Sequence, residues 1–157
     1  MAIIKPNNNT ISAITALPAS ITTGKVLQVV SMTTTSETQT TSSSFVTTAL
    51  TDTITPSATS SKILIMATAD LNNQQASSFT YGTMYRDSTN LGVSTKGFTG
   101  VYSAGGDIHG NGSITFLDSP STTSEITYTY RIAVNQNNGR FNQQRYKQAL
   151  TLIEIGA

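Results

Sequence analysis

The chain of 157 residues contains no cysteine, which excludes both a disulfide framework and a cysteine-ligated zinc site. Its single histidine, His109, would need a nucleophile and a carboxylate beside it to form a catalytic triad. No serine sits in a nucleophile-elbow context. Three copies of His109 meeting on an oligomer axis would suit a transition metal, but a lone loop histidine reads first as surface, so no metal and no cofactor are expected. Charged residues are scarce, at 11%, and the basic ones are scattered; only Arg131, Arg140, Arg145 and Lys147 come near to clustering. The basic stripe of a nucleic-acid binder is missing. No apolar run approaches the roughly 18 residues of a membrane span, so membrane insertion is not expected. The N-terminus lacks the charged-then-apolar layout of a signal peptide, and Sec export is not expected either. The acids are dispersed: no pair has calcium-loop spacing, no two mark a glycosidase cleft, and Arg86-Asp87 reads as a turn with local pairing. An enzyme is not the leading reading.

What the chain has in abundance is serine and threonine, 47 of 157 residues. Threonine suits a pleated surface and serine the turns between strands, while 37% hydrophobic content arranged in runs argues against disorder. The clearest stretch is 125–134. Ile126, Tyr128, Tyr130, Ile132 and Val134 fall on one side of an extended strand, and Glu125, Thr127, Thr129 and Arg131 on the other. Period-two alternation of this kind gives antiparallel sheet with one dry and one wet face.

Residues 1–23 differ from the remainder. Ile3 and Ile4 form an apolar tip before Pro6, and Ile11, Ile14, Leu17 and Ile21 recur at intervals of three or four. This segment reads either as a helical turn docked on the domain or as a stalk whose apolar positions meet other copies or another protein. From residue 24 to 157 the strand signals dominate. Lys25–Met32 is apolar on both sides and is expected as an inner strand; 33–44 as an exposed edge; 45–55 as two half-buried segments. Further strands are expected at 61–71, 79–86, 91–93, 113–117 and 148–155, with polar loops at 72–78 and 135–139. Residues 97–112 hold six glycines and read as a long irregular loop. Eight to ten short strands at this spacing predict an all-β antiparallel sandwich or jelly roll.

Binding is the chemistry left. Tyr81, Tyr85, Phe98 and Tyr102 lie on or beside loops and strand ends, with amides such as Asn72, Asn73, Asn137 and Asn138 available as partners; together they resemble what a sugar-binding surface requires. The competing reading places the same aromatics in the core or a subunit interface.

Three segments carry a family resemblance: 24–31 (GKVLQVVS), 54–65 (ITPSATSSKILI) and 149–157 (ALTLIEIGA). Over about residues 24–157 the chain resembles fibre and appendage proteins of marine tailed bacteriophages. The resemblance implies a trimeric β-sandwich head of the tumour-necrosis-factor or complement-globular type, with first and last strands adjacent near a three-fold axis. Val26, Val30, Met32, Leu150, Leu152, Ile153 and Ile155 would then supply the subunit interface. Residues 1–23, through Ile3, Ile4, Ile11, Ile14 and Leu17, would dock on other virion proteins. The head would contact host-surface glycan in a tail-associated fibre, or carry no ligand in a capsid-decorating or neck protein. Such a protein is made in the host cytoplasm and ends in the virion.

Overall fold

The computed structural model describes residues 24–156. The expectations for residues 1–23, including Ile3, Ile4, Ile11, Ile14 and Leu17, lie outside them. The described chain is all β, in thirteen strands: β1 (Lys25–Thr34), β2 (Thr38–Thr40), β3 (Val46–Ile54), β4 (Lys62–Ala67), β5 (Asp70–Asn73), β6 (Ser78–Arg86), β7 (Thr89–Asn90), β8 (Thr99–Ser103), β9 (Ile108–Asn111), β10 (Ile114–Asp118), β11 (Ile126–Val134), β12 (Gly139–Phe141) and β13 (Gln148–Gly156). No described helix is long and apolar enough to cross a membrane.

Nine of these strands make the sandwich. One sheet has the order β1-β13-β4-β10, and the other β3-β11-β6 with β8 beyond β6 and β7 beside it. The antiparallel pairs are nested: β1 with β13, β3 with β11, β4 with β10, β6 with β8. First pairs with last and the middle strands pair with each other, so the chain is one long hairpin rolled across two sheets, which is a jelly roll. Closing the roll between distant segments requires strong alternation in each strand, because a one-residue slip would turn the whole apolar set to water. Leu50, Ile63, Ile65, Met84, Tyr128, Tyr130, Ile132, Leu150 and Leu152 fill the space between the sheets.

The remaining short strands form a third sheet, β2-β12-β5-β9. Each lies on a connection that crosses from one main sheet to the other, so all four crossovers at one end of the roll are laced together. The opposite end holds the connections 55–61 and 119–125 and the paired ends of the described chain, Lys25 opposite Gly156. The lacing explains two departures from the sequence expectations. The 61–71 strand breaks at Thr68-Ala69, where Thr68 N–H donates to the Ala149 carbonyl (2.9 Å) and Ala149 N–H to Thr68 Oγ1 (2.9 Å). Beyond the break, Asn72 and Asn73 are fully buried strand residues rather than part of an exposed loop. Asn73 Oδ1 accepts from Ser78 Oγ (2.7 Å) and the Gln75 N–H (3.1 Å), and Gln148 Nε2 donates to Asn142 Oδ1 (3.1 Å). Buried amides here satisfy polar groups that the sharp crossovers remove from water.

The glycine-rich segment is likewise not an irregular loop, since it contains β8 and β9. Its glycines mark close approach: a Cβ on Gly110 would stand 2.5 Å from Val101, and one on Gly112 2.5 Å from Leu71 and 2.7 Å from the Tyr130 hydroxyl. Residues 45–55 form one strand instead of two segments, and 91–93 lies outside any strand. β1 is an edge strand, not an inner one. Its register shifts between Val26 and Gln28; a bulge there leaves both Val26 and Leu27 outside, and edge bulges of this kind also discourage open-ended strand pairing.

Polar anchors tie the far end. The carboxylate of Glu154, on the inner side of β13, accepts from Ser57 Oγ (2.6 Å), Ser57 N–H (2.7 Å) and Gln28 Nε2 (2.7 Å). Arg86 does not pair with its neighbour Asp87: it forks onto Asp118 (2.9 Å to each oxygen), which also accepts from the Tyr128 hydroxyl (2.7 Å). Asp87 instead accepts from the Thr127 N–H (2.9 Å).

Candidate ligand-binding face

Two outer faces remain, and they differ in chemistry. On the β1-β13-β4-β10 sheet the outward positions are largely apolar: Val26 is 64% exposed, Val29 57%, Leu27 and Met66 46% and Leu117 45%. Val29 pairs with Ile153, which pairs with Leu64, which pairs with Leu117, a continuous row across four strands. This sorts the seven residues expected at a subunit interface. Val26, Ile153 and Ile155 lie on the outer face. Val30 and Met32 turn inward against the core, and Leu150 and Leu152 are wholly buried in it. Those four are corrected to core residues, because a strand presents only alternate side chains to either side.

The outer face of the second sheet is aromatic and hydroxylated. On β6 the outward side chains are Phe79, Tyr81, Thr83 and Tyr85. Phe79 and Tyr81 are stacked, with centroids 5.4 Å apart at 7°. Tyr102 on β8, directly opposite Phe79, lies against it at 4.7 Å. At the other end Phe45 meets Tyr85 edge-on at 6.2 Å. The guanidinium of Arg131 sits 3.9 Å from the Tyr85 ring centre, a favourable cation–π placement. Arg131 and Thr129 therefore do not simply face water: Thr129 is buried, its hydroxyl 2.9 Å from that of Thr51. β11 itself is an inner strand of its sheet, between β3 and β6.

A groove of about 510 Å³ opens beside this row, lined by Phe45, Tyr81, Tyr85, Lys96 and Asn135 together with Ser43 and Ser44. A second, of about 260 Å³, lies on the other side of Tyr81 and shares Tyr81 and Lys96 with the first. The chain brings Lys96 here through Gly97. That residue has φ +65°, and a Cβ on it would stand 2.3 Å from the Gly82 carbonyl oxygen; glycine alone permits both the backbone and the approach. Val93 and Gly97 then close a tight loop over β6, with Gly97 N–H donating to the Val93 carbonyl (2.7 Å).

Of the four aromatics expected to contact a ligand, Tyr81, Tyr85 and Tyr102 share this face. Phe98 does not: it packs against the core, edge-on to Phe116 at 5.1 Å, while also lining the smaller groove. Phe45, Lys96, Ser43, Ser44 and Asn135 were not foreseen, and nothing in their local sequence signals them. They converge only because β3, β6 and β11 are adjacent. His109 stands at the third sheet with Nδ1 3.4 Å from Asp70 Oδ2. Among the described residues no three metal-ligating side chains gather.

Comparison with protein-family models and with curated protein sequences finds no match. Among solved structures the chain is similar to the VP2 subviral particle of infectious bursal disease virus, at 10% identity and a TM-score of 0.46 over 89% of this chain and 43% of that one. It is similar also to the structure of the Gx strain of that virus, at 12% identity and a TM-score of 0.42 over 83% of this chain and 38% of that one. The chain spans about two fifths of the length of the viral chains it matches.

Proposed function

We propose that this protein is a non-enzymatic structural component of a virion, an oligomeric appendage head that self-associates through the outer face of the β1-β13-β4-β10 sheet. The observation that carries the reading is the exposed row Val26, Val29, Met66 and Leu117 with Leu64, Ile153 and Ile155. Monomeric proteins rarely leave so contiguous an apolar surface in water. A second copy of the same chain is the occupant, because charge on this face is confined to lysines near one end, Lys25 and Lys62, and its polar members are the short side chains Ser31, Thr115 and Thr151. Copies can approach without like-charge repulsion or the ordering of long side chains. The resemblance to phage fibre and appendage proteins supports a trimer anchored through residues 1–23. It supports as well a tail-associated position in which the aromatic face meets host-surface glycan. A capsid-decorating or neck protein with no ligand is the second reading.

Light scattering on the full chain at micromolar concentration tests the assembly. A trimer is expected, and Val29→Glu, which places a charge on the outer face without entering the core, should yield a folded monomer. A monomeric parent protein would remove the proposal. Release of reducing ends from host capsule polysaccharide would establish an enzyme instead.

A further inference from the structure

We infer that the paired grooves around Tyr81 bind an acidic oligosaccharide, with Tyr81 as the shared platform and Lys96 as the shared cation. The inference rests on the glycan-contact reading and adds the chemical class of the ligand and the residues that select it. Sugar rings present one face of C–H groups, which are weakly positive and settle on the negative face of an aromatic ring. Here Phe45, Tyr81 and Tyr85 line the larger groove, and Phe79 with Tyr81 lines the smaller. Ring edges carry hydroxyls, which need short polar partners; Ser43, Ser44, Ser94 and Thr95 supply them.

Charge decides between neutral and acidic sugar. Lys96 reaches both grooves, and no carboxylate lines either of them. Arg131 adds a second positive centre behind Tyr85; one of its N–H groups is already engaged by the Asp87 carbonyl at 3.3 Å. In a chain with 9 basic residues in 157, two beside one aromatic row and none of the acids within its grooves makes a locally positive surface. Because Tyr81 and Lys96 stand between the two grooves, a ligand that uses both must be longer than one ring. A chain of uronic acid units meets every one of these requirements.

The probe is tetragalacturonate, titrated calorimetrically into the full-length protein, with maltotetraose as the neutral counterpart. Tetragalacturonate should bind at least about tenfold more tightly than maltotetraose, a difference of about 1.4 kcal/mol, and the preference should shrink as salt screens the exposed lysine. Lys96→Gln, at an exposed position that leaves folding intact, should weaken tetragalacturonate about tenfold and leave maltotetraose unchanged. Tyr81→Ala should weaken both; if it fails to fold, Lys96→Gln decides alone. Equal affinity for the two sugars, no binding of either, or an unaffected Lys96→Gln variant would overturn the inference. Light scattering on the same samples separates the two claims: an oligomer that ignores both sugars overturns the acidic-glycan site alone, whereas a monomer that binds tetragalacturonate in a Lys96-dependent way supports the site and overturns the assembly.

Discussion

The Glu154 carboxylate on the last strand lies 2.6 Å from the hydroxyl of Ser57, in the connection between β3 and β4, so one buried acid fastens the end of the roll where the chain enters and leaves. Burial opposes its ionisation, but the Ser57 hydroxyl and amide and the Gln28 amide outweigh that cost and hold its pKa down at about 2, against 4.5 in an unfolded chain. The folded value lies below the unfolded one, so this contribution is present in full above pH 4.5 and is lost as pH falls toward 2. Glu154→Gln should cost about 1.5–3 kcal/mol near neutrality, as expected for hydrogen bonds to a charged group. In urea denaturation the deficit relative to the parent protein should narrow as the pH is lowered through that window. Parallel stability–pH curves for parent and variant would show that Glu154 does not act through its charge.

At the same end of the sandwich, Asp118 is shared by Arg86 and Tyr128. Tyr128→Phe removes one donor yet leaves the Arg86 fork, and should cost about 1 kcal/mol. Arg86→Met leaves a nearly buried carboxylate without its countercharge and should cost more, about 3 kcal/mol. The order of the two midpoints in denaturant is the check; a larger effect from Tyr128→Phe would mean the arginine is dispensable.

Burial raises the phenol pKa of Tyr130, and burial together with the hydrogen bond to Asp118 raises that of Tyr128, both far above the usual tyrosine range. Their folded values exceed the unfolded ones, so folding is favoured below pH 10 and weakened as pH rises beyond it. In an ultraviolet titration, two of the six tyrosines should ionise only with the loss of folded structure. Six tyrosines ionising smoothly while the β-sheet circular dichroism persists would contradict this.

Gly112→Ala would drive a methyl group into Leu71 and the Tyr130 hydroxyl, which donates to the Gly112 carbonyl at 2.6 Å. A loss of about 1–3 kcal/mol is expected from overpacking. Gly105→Ala, in the same glycine-rich stretch but with open space around it, should change stability by less than about 0.5 kcal/mol. Thermal midpoints of the pair compare them directly, and equal midpoints would show that the segment is a yielding loop after all.

Leu152→Glu and Val29→Glu place the same carboxylate on paired neighbouring strands but on opposite sides of one sheet. The first buries an unpaired charge in the core and should prevent folding. The second should keep the circular dichroism spectrum of the parent while lowering its molar mass in solution. A folded Leu152→Glu protein would overturn the inward placement of that side chain.

Much of this architecture was legible before any coordinates. The alternation in 125–134 and the two-sided apolar pattern of Lys25–Met32 follow from period-two patterning alone, and with the other short apolar runs they suffice for an all-β sandwich. The aromatics of the candidate face were legible as residue types. Tyr81, Tyr85 and Tyr102 were separable from Phe98 only once strand register was known, since Phe98 directly precedes β8 and turns to the core.

What the sequence determined by itself was therefore the extended conformation of the strongly alternating segments and the presence of two chemically distinct sides. It could not say which side of Lys25–Thr34 or of Gln148–Gly156 is covered, because an apolar residue on either side satisfies the same alternation. Pairing between residues more than a hundred positions apart decided that, placing Leu150 and Leu152 in the core and Val29 and Ile153 outside. Other pairings did the rest: β5 between β9 and β12 buries Asn72 and Asn73, and β3 and β6 on either side of β11 bring Phe45 and Tyr81 to one groove with Lys96. Contacts of that range are properties of how sheets close on each other, and no window of sequence contains them.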